Sequence, residues 1–275
     1  MLALAALIGL VPSRLAAQAK EPEPELTDVW RIDGLHNAFC VQLLIDPAKL
    51  DMDLPDDIRP LRADAVQNLS PPIRTLIANQ PEFAAWSPSS ICLYYMESVD
   101  VGPVRVSESN PDKAPMLGFW SIAAADTGGG AQRGFVLRLF TNSGRLERAG
   151  ELRGLNLRTV RSTVREVSME DDEAAVPVGT RYQFKLNKTL LTWDGRRVDD
   201  STRSSEPYSS AWRTESKRGD PMAARIALTP EWTKAMVGFL RVEGKDDFAK
   251  AIMASPIRFV GPARVGGGGE FAFGR

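Results

Sequence analysis

The stretch Gly134–Val167, GFVLRLFTNSGRLERAGELRGLNLRTVRSTVREV, decides how the chain is read. Phe135, Leu137 and Leu139 alternate with Val136, Arg138 and Phe140, the period of two of a strand with one buried face. Asn142, Ser143 and Gly144 follow as turn residues, because Asn and Gly tolerate positive φ. Thr159–Arg165 is rich in β-branched residues and reads as a second strand. Between them, Ala149–Arg158 holds two glycines and an asparagine, which predict a bend where the backbone comes close to something. The expectation for this stretch is a central hairpin.

Outward from it, the same alternation or a β-rich apolar run predicts strands at Cys40–Ile45, Ile91–Val99, Val104–Glu108, Met116–Ala123, Tyr182–Leu186, Leu190–Trp193, Ala224–Leu228 and Ile257–Val265. Asp194-Gly195 reads as a hairpin turn, and the polar run Asp199–Asp220 as a long loop. Three helices are expected. One follows Ser70 as N-cap and is stopped by Pro81; one starts at Thr229-Pro230-Glu231 with Trp232, Met236, Phe239 and Leu240 as its stripe; a short one covers about Asp246–Met253. The fold class is α+β: a large, mostly antiparallel sheet or β-barrel with a few flanking helices.

The 275 residues are 43% hydrophobic with a net charge of −1, enough for a sizeable core and no basis for a nucleic-acid partner. The first residues stand apart. Leu2–Val11 is apolar and Ala17-Gln18-Ala19 is a small-x-small cleavage pattern, so residues 1–19 read as a signal peptide or N-terminal anchor. Residues 20–29 follow as a Pro-broken linker, 30–265 as one domain and 266–275 as a flexible Gly-rich tail. Export to the periplasm or beyond makes a Cys40–Cys92 disulfide the first expectation, against two buried thiols.

Ordered segments of the chain resemble the acetoacetate decarboxylase-like superfamily. They are Asn37–Leu50 with its Leu54-Pro55 step, Cys92–Val101, the opening stretch with its Ala149-Gly-Glu-Leu152 turn, and the closing Asp246–Val265 unit. The resemblance implies a cone-like β-barrel around a ligand pocket, often in oligomers. It also implies a Schiff-base lysine after the central turn, but the matching positions are Leu157 and Arg158. Leucine has no amine and a guanidinium stays protonated, so that mechanism does not carry over. Leu157, Arg158, Glu151 and Glu97 are then the candidate ligand-binding residues, with Glu82 a weaker pocket carboxylate. No catalytic residue, cofactor or metal is assigned.

The remaining chemistry is thin. His36 is the only histidine, which leaves no zinc set and makes a Ser-His-Asp triad a poor reading. Asp51, Asp53, Asp56 and Asp57 lack the pattern of a calcium loop, and Gly128–Gly130 lacks the lysine of a phosphate loop. Arg153, Arg158, Arg161 and Arg165 form either an anion site or a solvated strand face. The expected function is an exported, non-catalytic protein. It serves as an accessory subunit on the periplasmic side of a membrane complex, or it binds a small apolar or acidic ligand. The alternative is a lyase or hydratase on a small organic acid that uses Glu97 and Arg158.

Overall fold

In the computed structural model, residues 26–274 are described, except 51, 53, 109–112, 128–131, 169–177, 187 and 204–206. The expected leader, most of the linker, the acidic run Glu170–Glu173 and Gly128–Gly130 lie outside the described residues. The elements are β1 (Asp28–Ile45), β2 (Ile58–Pro60), α1 (Pro71–Asn79), β3 (Ser87–Val101), β4 (Val104–Ser107), β5 (Met116–Asp126), β6 (Gln132–Thr141), α2 (Gly144–Glu151), β7 (Leu157–Thr159), β8 (Arg161–Ser168), β9 (Val178–Leu186), β10 (Thr189–Arg203), β11 (Tyr208–Glu215), β12 (Pro221–Thr229), β13 (Trp232–Glu243), α3 (Asp247–Ala254), β14 (Arg258–Val260), β15 (Ala263–Val265) and β16 (Gly268–Gly274). Strand dominates, as expected.

Four long strands, β1, β3, β5 and β6, form an antiparallel sheet that is buried on both faces. Phe39, Val41, Ile91, Leu93, Trp120 and Ile122 point into one core. Cys92, Tyr94, Leu117, Phe119, Val136 and Leu139 point into another. Double burial explains the continuous apolar runs within these strands, such as Ile91–Met96 and Met116–Trp120.

Each face is roofed by an arm. On one side β6 pairs in parallel with β11, which leads through β12 and β16 back to β1. On the other, β7 runs parallel to β6, and the chain continues through β8, β9, β10, β13 and β15 back to β1. The strand pairings close one uneven ring on the first side; on the second they run from β1 out to β8, and no pairing among the described residues joins β8 to β7. The links are thin in places: two register pairs join β6 to β11, and one joins β1 to β15.

Several expectations are corrected. The central stretch is not a hairpin. Its middle is α2, capped by the Ser143 side chain accepting from the Leu146 N–H, with Leu146 fully buried. The helix carries the chain over, so β7 returns parallel to β6. The turn signal at Asn142 has another use: its amide side chain accepts from Met116 N–H and donates to the Ala114 carbonyl.

The helix expected from Thr229 is strand β13. A spacing of four between Met236 and Leu240 satisfies both periods, and here Met236, Leu240 and Val242 pack inward while Val237, Phe239 and Arg241 face out. Asp194-Gly195 lies inside β10, not at a turn. Gly195 sits opposite Gly238, and a Cβ on Gly238 (φ +153°) would lie 2.1 Å from the Asp194 carbonyl oxygen. Close backbone approach, not chain reversal, requires glycine there.

The loop expected over 199–220 is mostly the end of β10 and β11. Small polar residues hide its alternation, although Trp212 and Thr214 are buried. The Gly-rich tail is β16, lying between β12 and β1 with Phe271 and Phe273 buried. Asp28 and Val29 of the expected linker already belong to β1.

The short helices α1 and α3 stand where expected. Asp246 caps α3 by accepting from Ala249 N–H at 2.9 Å. Burial alone would raise its pKa, but hydrogen bonds from Thr189, Ala249 and Lys188 outweigh that and hold the carboxyl below its ordinary value.

Cys40 and Cys92 face each other directly across β1 and β3, with their sulfurs at bonding distance, 1.98 Å. The closed loop spans 52 residues. Reduction, or replacement of both by alanine, is expected to lower stability by about 3–4 kcal/mol in the chain-entropy account. Urea unfolding with and without reductant measures this; identical midpoints would mean that the pair is not bonded in solution.

Candidate functional site

The disulfide marks a boundary in the register of the shared sheet. Cys40, Cys92 and Phe119 stand side by side on β1, β3 and β5. One step along on the same face stand Gln42, Ser90 and Ser121. The apolar row belongs to a closed interior; the polar row lines an open cleft.

The interior side is filled. Tyr94, Leu117, Phe119, Leu139, Leu157, Trp212, Ile226 and Phe271 surround a void of about 10 Å³, too small for a ligand. Leu157 is 1% exposed and packs against Gly150 of α2. Phe119 and Trp212 have ring centroids 4.1 Å apart. Tyr94 is held well above the usual tyrosine pKa, mainly by burial.

The cleft has a volume of about 800 Å³ and shares Trp212 with the lining of that void. Gln42, Ser90 and Ser121 give it a polar wall; Ala123, Trp212 and Ala224 give an apolar one; Ser70 and Ile73 approach from α1 and its cap. The serines are locally organised. Ser90 and Ser121 hydroxyls share a hydrogen bond at 2.9 Å, Ser89 donates to the Ser121 carbonyl at 2.8 Å, and Trp120 Nε1 donates to Ser89 Oγ at 2.9 Å. Gln42 Oε1 and Arg225 Nε are buried and have no hydrogen-bond partner among the described residues, although the other end of Arg225 donates to Glu270 at 2.9 Å. Among the described residues, the charged ones lining the cleft are Arg133 and Arg225, and no Asp, Glu, Lys or His lines it.

The residues singled out from the sequence are not brought together in this cleft. Arg158 is exposed and lies 3.7 Å from Glu151, which also accepts from Lys217 Nζ at 2.8 Å. The Lys217 hydrogen bond and charge hold the Glu151 carboxyl below its ordinary pKa. Glu97 is exposed and lies across Gly34, and Glu82 is exposed in a short 3-10 turn. Arg153 pairs with Asp28, while Arg161 and Arg165 stand on the outer face of β8. His36 is half-buried at the bulge in β1. Among the described residues no cluster of His, Cys, Asp and Glu could hold a metal. Every described lysine is exposed except Lys234, which is half-buried.

Gln42, Ser90, Ser121 and Trp212 escaped the sequence reading. The signal for the serines was Ser87-Pro-Ser-Ser90 directly before an apolar strand, where polar residues occupy positions that the alternation assigns to a buried face. A second polar cluster lies in the other core. The Asn37 side-chain amide donates to the Tyr182 hydroxyl, and Tyr95 and Ser162 hydroxyls are 2.8 Å apart. Burial raises both tyrosine pKa values.

No family model and no curated protein matches the chain. Its neighbours among solved structures are acetoacetate decarboxylase-like proteins. One is an acetoacetate decarboxylase-like enzyme from Sphingomonas wittichii RW1, 12% identical over 90% of each chain with a TM-score of 0.42. Another is acetoacetate decarboxylase from Legionella pneumophila subsp. pneumophila str. Philadelphia 1, 13% identical over 98% of each chain, also at 0.42. A third is the enduracididine biosynthesis enzyme MppR, 13% identical over 90% of this chain and 86% of its own, at 0.41. Likeness at this level carries nothing about the chemistry of this chain.

Proposed function

We propose that this chain is a non-catalytic binding protein that takes a small organic acid with an apolar body into the 800 Å³ cleft. The observation that carries the reading is the character of the lining. Arginine, amide and hydroxyl groups, with Trp212 and Ala224, are suited to an anionic head and an apolar body, and among the described residues no acid–base group stands with them. Buried Arg225 Nε is a donor with no acceptor among the described residues, and a carboxylate supplies one. The lyase or hydratase reading needs Glu97 and Arg158 in one pocket, and they lie at separate exposed places. Carbonyl condensation needs a desolvated amine, and the half-buried Lys234 lines neither space.

The proposal includes export and an accessory place beside a membrane complex. The Cys40–Cys92 pair supports an oxidising compartment, and the filled space around Leu157 together with exposed Val237 and Phe239 supports a role in contacts.

The test is thermal denaturation with benzoate and hexanoate against their uncharged amides. A carboxylate at about 100 times its Kd stabilises by about 2.7 kcal/mol, a shift of several degrees. The amides are expected to shift nothing, and Arg225→Leu to abolish the carboxylate effect. Equal shifts by acid and amide, or none from either, would sink the reading.

A further inference from the structure

We propose that the outer face of the β8–β9–β10–β13 arm is a docking surface for an anionic lipid bilayer, independent of the cleft. Val164, Tyr182, Phe184, Trp193 and Leu240 of this arm pack inward, so the alternate positions face out. In register, Arg161 stands opposite Lys185 and Arg165 opposite Arg181. Like charges directly opposite one another destabilise a sheet, so two such pairs ask for a counter-charge. Asp194 supplies one for Arg181, accepting at 2.5 and 2.9 Å. Arg161, Arg165 and Lys185 have no ion-pair partner among the described residues.

The same face carries exposed apolar groups. Phe239 is 52% exposed and stands opposite Asp194, and Val237 is 43% exposed two residues before it on β13. The Arg241 guanidinium lies 5.8 Å from the Phe239 ring centre. Strand spacing near 4.8 Å and a same-face step near 6.8 Å spread these groups over roughly 14 Å in both directions. Cations distributed in two dimensions around exposed Phe and Val match a bilayer, which presents anionic headgroups over an apolar layer. An acidic peptide presents one line of charge and needs a groove. Neither the cleft nor the void includes these residues.

β8 ends the strand order on this arm. Charge on such an edge also blocks unwanted strand pairing, the competing explanation. The experiment is co-sedimentation of the full chain with phosphatidylcholine vesicles, with and without phosphatidylglycerol. Binding is expected on the anionic vesicles, falling as salt is raised. Arg161→Glu/Arg165→Glu is expected to weaken it at least about tenfold, and Phe239→Ser to weaken it with the net charge kept. Circular dichroism checks the fold, and Arg161→Gln/Arg165→Gln replaces the reversal if that variant does not fold. Three results overturn the proposal. They are no binding, equal binding to neutral vesicles (the apolar run Leu2–Val11 acting alone), or charge variants that self-associate while holding lipid unchanged.

Discussion

A chain that stops at Gly267 is expected not to fold. The strand it would lose, β16, makes seven register pairs with β12 and six with β1. Phe271 and Phe273 stack edge-on against Trp30, with ring centroids 5.8 and 5.5 Å away, and both are buried. Truncating one buried Phe to Ala costs about 3–5 kcal/mol, so losing two approaches the whole 5–15 kcal/mol stability of an ordinary domain. Removal also leaves β12 and β1 with unpaired backbone groups inside the protein. The measurement is far-UV circular dichroism and urea unfolding of the truncated chain beside Phe273→Ala, which is expected to fold with a loss of about 3–5 kcal/mol. A truncated chain that melts cooperatively near the full-length temperature would show that β16 is no part of the core.

Leu157→Lys is expected to lose about 4–5 kcal/mol at pH 7 and to regain most of it near pH 10. Leu157 faces a 10 Å³ space among Phe119, Trp212 and Phe271 that has no room for a hydrated ammonium. The lysine must enter neutral, with a folded pKa depressed by several units from about 10.4. The unfolded chain then binds the extra proton below that value, so stability falls as pH drops from 10 to 7, at about 1.4 kcal/mol per unit. Urea unfolding at the two pH values reads the difference directly. A small deficit that does not change with pH would mean that position 157 reaches water.

Much of the architecture was readable because it depends on local pattern. Tyr182, Phe184 and Leu186 alternate, and one face of β9 is buried as that alternation requires. Ser70-Pro71-Pro72 starts α1, and Phe248 and Ile252, four apart, give α3 its buried side. Cys40 and Cys92 sit in apolar strand-like runs, and those runs became neighbouring strands.

The misreadings share a physical cause. Gly268 and Gly269 look like a flexible tail, yet a Cβ there would lie 2.5 Å from the Ile32 carbonyl oxygen and 2.1 Å from that of Ala227. Glycine composition reports conformational freedom in an isolated chain; between two strands the same residues permit close approach. Met236 and Leu240 were compatible with helix or strand until β10 supplied a partner.

The chain alone was enough to show a strand-dominated protein with two cysteines in strand-like runs and a single histidine, because composition and short-range periodicity carry those properties. Only long-range pairing assembled the cleft. Gln42, Ser90, Ser121 and Trp212 come from four strands spread over 170 positions and meet through sheet register, which no local pattern encodes. The same pairing sent Leu157 into a filled core and left Arg158 in solvent, since adjacent residues of a strand face opposite sides.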